Sequence, residues 1–285
     1  MNQKLRIGII GHGFVGKATD WGFNKNVEKF IVDPLYATTI AQLGEFQPKV
    51  VFVCVPTPME ADGSQDSEII VRVIKELAIE CKKTIIVIKS TVLPSVLKKL
   101  HSLEKRLIYN PEFLREKHAN QDFKNSQMLI FGGDRDMASK VSQYYLNNSR
   151  CKTKKHIFLD LISASLVKYS INTFLATKVT FFNELHELFS RMKTNDSWES
   201  IISAISNDKR IGMSHMNVPG HDGKKGFGGA CFPKDSSALI NYANNLKSEL
   251  SVLKSAVKKN NSIRRDYKDL DKREREQNVS FNDKI

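Results

Sequence analysis

The 285 residues predict an α/β fold, a doubly wound (Rossmann-like), mostly parallel sheet followed by an all-helical central domain. Three observations predict it. Over residues 1–150, short runs of branched apolar residues alternate with amphipathic stretches, the pattern of a parallel sheet buried on both faces. Residues 163–193 then contain neither Gly nor Pro, and Val167, Ile171, Phe174, Leu175, Phe182, Leu185 and Phe189 recur there at helical spacing. Further on, three of the 15 glycines, Gly226, Gly228 and Gly229, fall within four positions just before Cys231. Glycine loses the most conformational freedom on folding, so such a cluster implies a sharp turn or a close approach.

Taken in order, residues 4–10 form a strand that ends in Gly11-His12-Gly13-Phe14-Val15-Gly16. A helix follows over 15–23, then a strand over 29–32 that ends in Asp33, 22 residues after Gly11. In this setting Gly11, Gly13, Phe14, Val15 and Gly16 form a turn where backbone meets a pyrophosphate at a helix N-terminus. Asp33 sits where an acid meets the adenosine ribose hydroxyls of NAD and disfavours the extra phosphate of NADP. The interval from Asp33 to Lys49 leaves little room for a full helix. Residues 49–55 are a continuous apolar run, and Pro56-Thr57-Pro58 stops it at the carboxyl edge, where cofactors lie. Residues 66–80 place Ile69, Ile70, Val73, Ile74 and Leu77 on one helical face. A strand over 84–88 ends in Lys89-Ser90-Thr91 at the same edge. A helix from Pro94 and strands over 107–109 and 128–131 complete the sheet.

The second domain spans 151–265. Its long helix is an expected domain axis and homodimer interface, and Lys168 and Asn172, four apart, share one of its faces. Residues 207–230 lack periodicity, and loops that long are usually functional or disordered. Pro233 suits a first helical turn and residues 236–240 continue it, so Cys231 stands just ahead of a helix N-terminus with Lys234 close by. Both features favour a thiolate. A small buried apolar side chain is the other reading of a lone cysteine. Residues 247–265 read as a helix. Residues 266–285 are charged, poor in apolar groups, and expected to be a disordered tail.

The formal charge is +13, yet the basic residues are spread along the chain without a recognition helix, an RNA-binding signature or a zinc module. Nucleic-acid binding therefore rests on charge alone, and a surface that attracts an anionic small molecule fits as well. No signal peptide or membrane span is evident. Cys54, Cys81, Cys151 and Cys231 are scattered without metal-ligand spacing, so the expectation is a cytoplasmic protein with reduced thiols and no metal.

Several motifs in order resemble the UDP-glucose/GDP-mannose dehydrogenases, NAD-dependent enzymes that oxidise a nucleotide-sugar alcohol to a uronic acid. They are Gly11 to Gly16, Val55-Pro56-Thr57-Pro58, Ser90-Thr91-Val92, Asn110-Pro111-Glu112-Phe113-Leu114-Arg115-Glu116, Lys168 with Asn172, Phe182-Asn183-Glu184-Leu185, Arg210-Ile211-Gly212, and Gly226 to Asp235. The resemblance implies that Cys231 adds to an aldehyde intermediate, giving a thiohemiacetal and then a thioester. It implies that Lys168 and Asn172 stabilise the oxyanion, that Asp235 and Thr91 hold the catalytic water, and that Glu112 assists proton movement. Pro56, Thr57, Thr91 and Lys234 would border the cofactor. Glu112, Phe113, Leu114, Glu116, Lys168, Asn172, Phe227 and Gly228 would border a nucleotide sugar, with UDP-glucose the first expectation. A non-catalytic or partner-dependent NAD-binding subunit is the alternative. Two departures stand out: the interval after Asp33 is short, and the family's third α/β domain, expected beyond Arg264, is not among the 285 residues.

Overall fold

The computed structural model describes residues 4–282. Its strands are β1 (Leu5–Ile10), β2 (Val27–Val32), β3 (Val50–Val53), β4 (Ile85–Ile88), β5 (Leu107–Tyr109), β6 (Leu129–Gly133) and β7 (His156–Leu159). They form one seven-stranded sheet in the order β2-β1-β3-β4-β5-β6-β7. Every pairing is parallel except β5 with β6, where Ile108 faces Gly133. The strand order reverses at β1, which places its carboxyl end at a topological switch point, the usual ligand crevice of such sheets.

Alternation along the strands fills two cores. Ile10, Val51, Val53, Ile86, Ile88 and Tyr109 pack on one face against α3 (Glu68–Glu80) and α4 (Pro94–Leu103). Ile7, Ile9, Val50, Phe52, Val87 and Ile108 pack on the other with Phe23, with Phe123 of α5 (Ala119–Lys124), and with Val141 and Tyr145 of α6 (Arg135–Asn148). Burial on both faces is why these strands read as unbroken apolar runs.

The remaining helices are α1 (Phe14–Gly22), α2 (Ile40–Phe46), α7 (Leu161–Arg191), α8 (Trp198–Ser206), α9 (Phe232–Asn245), α10 (Ser251–Arg264) and α11 (Lys272–Glu276). The short interval after Asp33 holds a 3-10 turn and the two turns of α2, which a reciprocal capping box between Thr39 and Gln42 starts. Three elements differ from expectation. The polar residues before 156 lead into a seventh strand, β7, half-buried along its length. Helix α8 covers part of a region without a sequence-based assignment, and its Trp198 packs with Phe182, Met216 and Val218. The tail expected to be disordered carries α11 over its described residues, 266–282, and buries Glu274, Gln277 and Val279, while residues 283–285 lie outside the described residues.

The chain divides into two compact units, and none of the three breaks between them falls at residue 150. One comprises the chain up to Thr57 together with Asp66–Lys168; the other comprises Pro58–Gln65 and the chain from Tyr169 onward. Among the described residues no helix is long and apolar enough to cross a membrane, and no group of His, Cys, Asp or Glu could hold a metal ion.

Candidate active site

In the first unit, the turn between β1 and α1 is shaped by its own backbone. Gly11 has φ +84°, and a Cβ there would lie 2.8 Å from the Cys54 carbonyl oxygen. A Cβ on Gly16 would lie 2.0 Å from the Gly11 carbonyl oxygen, so both positions exclude side chains for internal reasons. Gly13 differs, because nothing lies within 4 Å of its Cβ position. That open side, at the N-terminus of α1, is room for a phosphate to approach. Asp33 is locked beside it: its Oδ2 accepts from His12 N at 2.7 Å and its Oδ1 from Leu35 N at 3.0 Å. Each carboxylate oxygen keeps a further lone pair. Phe14 and Val15 are half-buried in the first turn of α1. These residues fit the phosphates and ribose of NAD: Gly13 and the α1 N-terminus for the former, Asp33 for the latter.

Along the carboxyl edge, Pro56 is exposed, while Thr57 is buried and donates to the Thr91 carbonyl at 2.9 Å, tying the ends of β3 and β4 together. Behind this edge lies a feature that periodicity does not reveal. Lys89 is buried, and its ammonium donates to Asn110 Oδ1 at 3.0 Å and to the Tyr145 hydroxyl at 3.3 Å. Tyr145 in turn donates to Asn110 Oδ1 at 2.7 Å, and Asn110 Nδ2 donates to the Ile130 carbonyl at 2.7 Å. Burial pushes the Lys89 ammonium down to about 8, partly countered by the nearby Cys54 sulfur and the charge of Glu112. The motif Lys89-Ser90-Thr91 was the available signal: a lysine that ends a buried strand must place its charge inside the protein.

The loop after β5 carries Glu112, Phe113, Leu114 and Glu116. Glu112 is buried and accepts from Leu114 N; Phe113 and Leu114 are half-buried, and Glu116 is exposed. Lys168, on α7, donates to the Glu112 carbonyl oxygen at 2.6 Å and lies 4.9 Å from the Phe113 ring centroid. The first unit thus brings Lys168 and Glu112 together through the main chain of Glu112 rather than its carboxylate.

In the second unit, Asn172 stands one turn beyond Lys168 on the same helix, and its Nδ2 donates to Asp235 Oδ2 at 2.7 Å. Asp235 is fully buried, and its other oxygen accepts from Lys234 Nζ at 2.5 Å. A buried carboxylate with an ionic partner and an amide donor is satisfied rather than stranded. Its place in the first turn of α9 adds a favourable helix-dipole contact. The first seven positions after Phe232 on α9, Pro233 to Leu239, are buried although four of them are polar. Cys231 is the N-cap residue of α9, half-buried and outside any disulfide.

The turn that delivers Cys231 is held from several sides. Gly226 N donates to Asn183 Oδ1 at 2.9 Å. Asn260 brackets the Phe227 peptide, accepting from its N at 2.6 Å and donating to its O at 3.0 Å. Arg264, buried and paired with Asp222 at 2.7 Å, donates to the Gly226 carbonyl at 2.8 Å. Burial raises the Asp222 carboxyl, and the stronger combined pull of Arg264 and the Lys224 amide holds it below its ordinary value. The space beside Gly226 and Gly228 is therefore already occupied: a Cβ on Gly226 would meet Asn260 Oδ1 at 2.6 Å, and one on Gly228 would meet Arg264 and Glu274 at 2.7 Å. Gly229, with φ +76° and nothing within 4 Å of its Cβ position, is the glycine of this turn that leaves room for a ligand. Phe227 is buried against Phe232. Asn260, Arg264 and Glu274 were not expected from the sequence, although the pair Asn260-Asn261 in mid-helix, a poor helix former used twice, was a visible signal.

Comparison with known proteins assigns both domains to one family. Residues 25–147 match the NAD binding domain of the UDP-glucose/GDP-mannose dehydrogenase family, and residues 162–262 match its central domain. The chain is 33% identical over 235 residues to UDP-glucose 6-dehydrogenase YwqF of Bacillus subtilis, covering 79% of this chain and 51% of that protein. It is 31% identical over 219 residues to the UDP-glucose 6-dehydrogenase of Rickettsia felis, covering 74% and 47%. The chain thus spans about half the length of these relatives. The solved structure of a UDP-glucose dehydrogenase from Pyrobaculum islandicum superposes with a TM-score of 0.79 at 25% identity, over 92% of this chain and 69% of that one. With both domain matches in chain order, the protein belongs to the UDP-glucose/GDP-mannose dehydrogenase family, of which it carries the NAD-binding and central domains.

Proposed function

We propose that the protein oxidises the C6 alcohol of a nucleotide sugar, UDP-glucose first among candidates, to the uronic acid with NAD. The observation that carries this reading is Cys231 at the N-cap of α9, behind a braced glycine turn and four residues before the buried Asn172–Asp235 pair. Bound NAD supplies the hydride acceptor, and the change from alcohol to carboxylate takes two of them. Gly13 and the N-terminus of α1 receive the pyrophosphate, and Asp33 accepts from the ribose hydroxyls.

An aldehyde cannot release a second hydride until a nucleophile adds to it. The Cys231 thiolate, favoured at a helix N-terminus, forms a C–S bond to that carbon. Lys168 and Asn172 each retain N–H donors beyond those used on Glu112 and Asp235, and they supply hydrogen bonds to the negative oxygen that develops. Oxidation of the adduct leaves a thioester. Asp235 and Thr91 position the water that attacks it, and Glu112 takes the proton as Cys231 leaves. Phe113, Leu114 and Glu116 border the sugar or its diphosphate, and Lys234 the cofactor.

NADH formation with purified protein, NAD and a panel of nucleotide sugars tests the reading; absence of turnover with all of them, while NAD still binds, overturns it. We further propose a homodimer through α7. Phe174, Phe181 and Leu188 are exposed at seven-residue intervals, a stripe of the kind that a second helix covers. The mass of the purified oligomer decides that point.

A further inference from the structure

The segment from Asp266 to Asn282 is fastened beside the turn that delivers Cys231. Lys224 Nζ donates to the Asp269 carbonyl at 2.7 Å, and Lys225 N donates to the Tyr267 hydroxyl at 3.2 Å. Met59 N donates to the Gln277 carbonyl at 3.1 Å, and Asn261 Nδ2 donates to the Asn282 carbonyl at 2.7 Å. Between these fastenings, α11 buries one charged side chain, Glu274. Its Oε2 accepts from Asp271 N at 2.8 Å and closes the capping box of α11, which accounts for half of the carboxylate. The other oxygen, Oε1, leaves the helix and accepts from Gly229 N at 2.8 Å.

This contact falls at the end of the turn that nothing described above holds. Asn183, Asn260 and Arg264 grip Gly226 and Phe227, whereas the Gly229 peptide, two residues before Cys231, is gripped by Glu274. Gly229 has φ +76° and open space on its Cβ side, so its own packing does not fix it. Gly228 carries no side chain because Glu274 and Arg264 stand where its Cβ would be.

We propose that Glu274 is a positioning residue for Cys231. Its charge-assisted hydrogen bond fixes the Gly229 peptide and so holds the thiol at the N-terminus of α9. This rests on the reading of Cys231 as the nucleophile. The segment as a whole does not depend on Glu274, because its other fastenings lie elsewhere.

The test uses the full chain with Glu274→Ala, Glu274→Gln and, as a control on the exposed face of α11, Lys272→Ala. Iodoacetamide labelling is followed separately at each cysteine by mass spectrometry, and NADH formation is measured alongside. In Glu274→Ala, loss of a charged hydrogen bond opens the turn more often, so labelling of Cys231 rises about tenfold while Cys54 and Cys81 keep their rates. Turnover with the nucleotide sugar falls about tenfold at unchanged KM for NAD, the signature of a displaced rather than an activated thiol. Glu274→Gln keeps one acceptor oxygen for the Gly229 N–H, giving up the capping-box bond to Asp271 N, and stays within about threefold of the wild type in both measurements. Lys272→Ala behaves as wild type. Should Glu274→Ala fail to fold, Glu274→Asp, one methylene short, takes its place with the same expectations. Wild-type labelling of Cys231 in the folded variant, or equal effects of alanine and glutamine, overturns the proposal. If the wild type itself forms no NADH, the enzymatic reading falls, and labelling alone still decides whether Glu274 holds the turn.

Discussion

Replacing Lys89 by methionine is expected to flatten the pH dependence of stability of the first unit. The ammonium is buried, bonded to two neutral groups, and pushed by burial from 10.5 down to about 8. Below pH 8 the folded and unfolded chains both carry the proton, so the full cost of burying the charge is present. Between about 8 and 10.5 the folded chain releases its proton first, and stability rises with pH as that cost disappears. A shift of this size corresponds to roughly 3 kcal/mol at neutral pH, most of which is recovered between pH 7 and 10. Methionine has no charge to bury and keeps a similar length, and the Tyr145–Asn110 hydrogen bond remains. Any constant difference in packing between wild type and Lys89→Met is common to both pH values, so the informative quantity is how their stability gap changes from pH 7 to 10. The Cys54 thiol, which burial pushes up to about 12, contributes stability that is lost as pH rises above 9, but it does so in both proteins. Urea unfolding followed by Trp21, in a Trp198→Phe background, reports on the first unit. The wild type should gain roughly 2 to 3 kcal/mol on the variant over that range. Parallel pH profiles would show that Lys89 carries no buried charge and would refute the reasoning.

Three further outcomes are expected. Cys231→Ser should abolish uronic acid formation and leave the NAD dissociation constant within about twofold of wild type, because the glycine turn and Asp33 lie elsewhere in the chain; calorimetric titration with NAD and product analysis check both halves. Asp33→Ala removes the acceptor for the ribose and also the one for His12 N, so NAD affinity should fall by about ten- to a hundredfold in the same titration. Gly16→Ala drives a methyl to 2.0 Å from the Gly11 carbonyl oxygen, and the turn must move; a loss of about 2–3 kcal/mol in thermal unfolding together with lost NAD binding is the expected result.

What could be read from the sequence follows from where the physics is local. The strands β1, β3 and β4 are apolar on both faces, and the residues that end them, Gly11, Pro56 and Lys89, punctuate them at the carboxyl edge. Helix α7 is legible because 31 residues pass without a breaker. By contrast, β7 is half-buried throughout and follows a polar run, and its three apolar residues, Ile157 to Leu159, are too few to mark a strand. Residues 266–282 look like solvent-loving chain because their charges are counted singly; Glu274 is buried only because a backbone N–H from another part of the chain meets it. The glycine turn before Cys231 was legible as a special place, but not the reason for each glycine. Gly226 and Gly228 yield to Asn260, Arg264 and Glu274, and only Gly229 stays open. Lys168 and Asn172 share a helix face as their spacing implies, yet each has its own partner, the Glu112 carbonyl and the Asp235 carboxylate. Partners distant in sequence are what periodicity omits.

The excursion at Pro58–Gln65 bears on how the protein can be taken apart. These eight residues leave the sheet-bearing unit after Thr57 and belong to the helical one, where Met59 N meets Gln277 O, the Asp62 carbonyl meets Asn241, and Gln65 Nε2 meets the Tyr169 hydroxyl. The helical unit is therefore not a contiguous stretch of gene. A cleavage at the Lys168–Tyr169 bond, or a recombination event that swaps everything after it, leaves Met59, Asp62 and Gln65 with the wrong fragment. The two halves are poor candidates for shuffling as cassettes, and a helical half expressed by itself should recover its fold better when a peptide of residues 58–65 is supplied in trans.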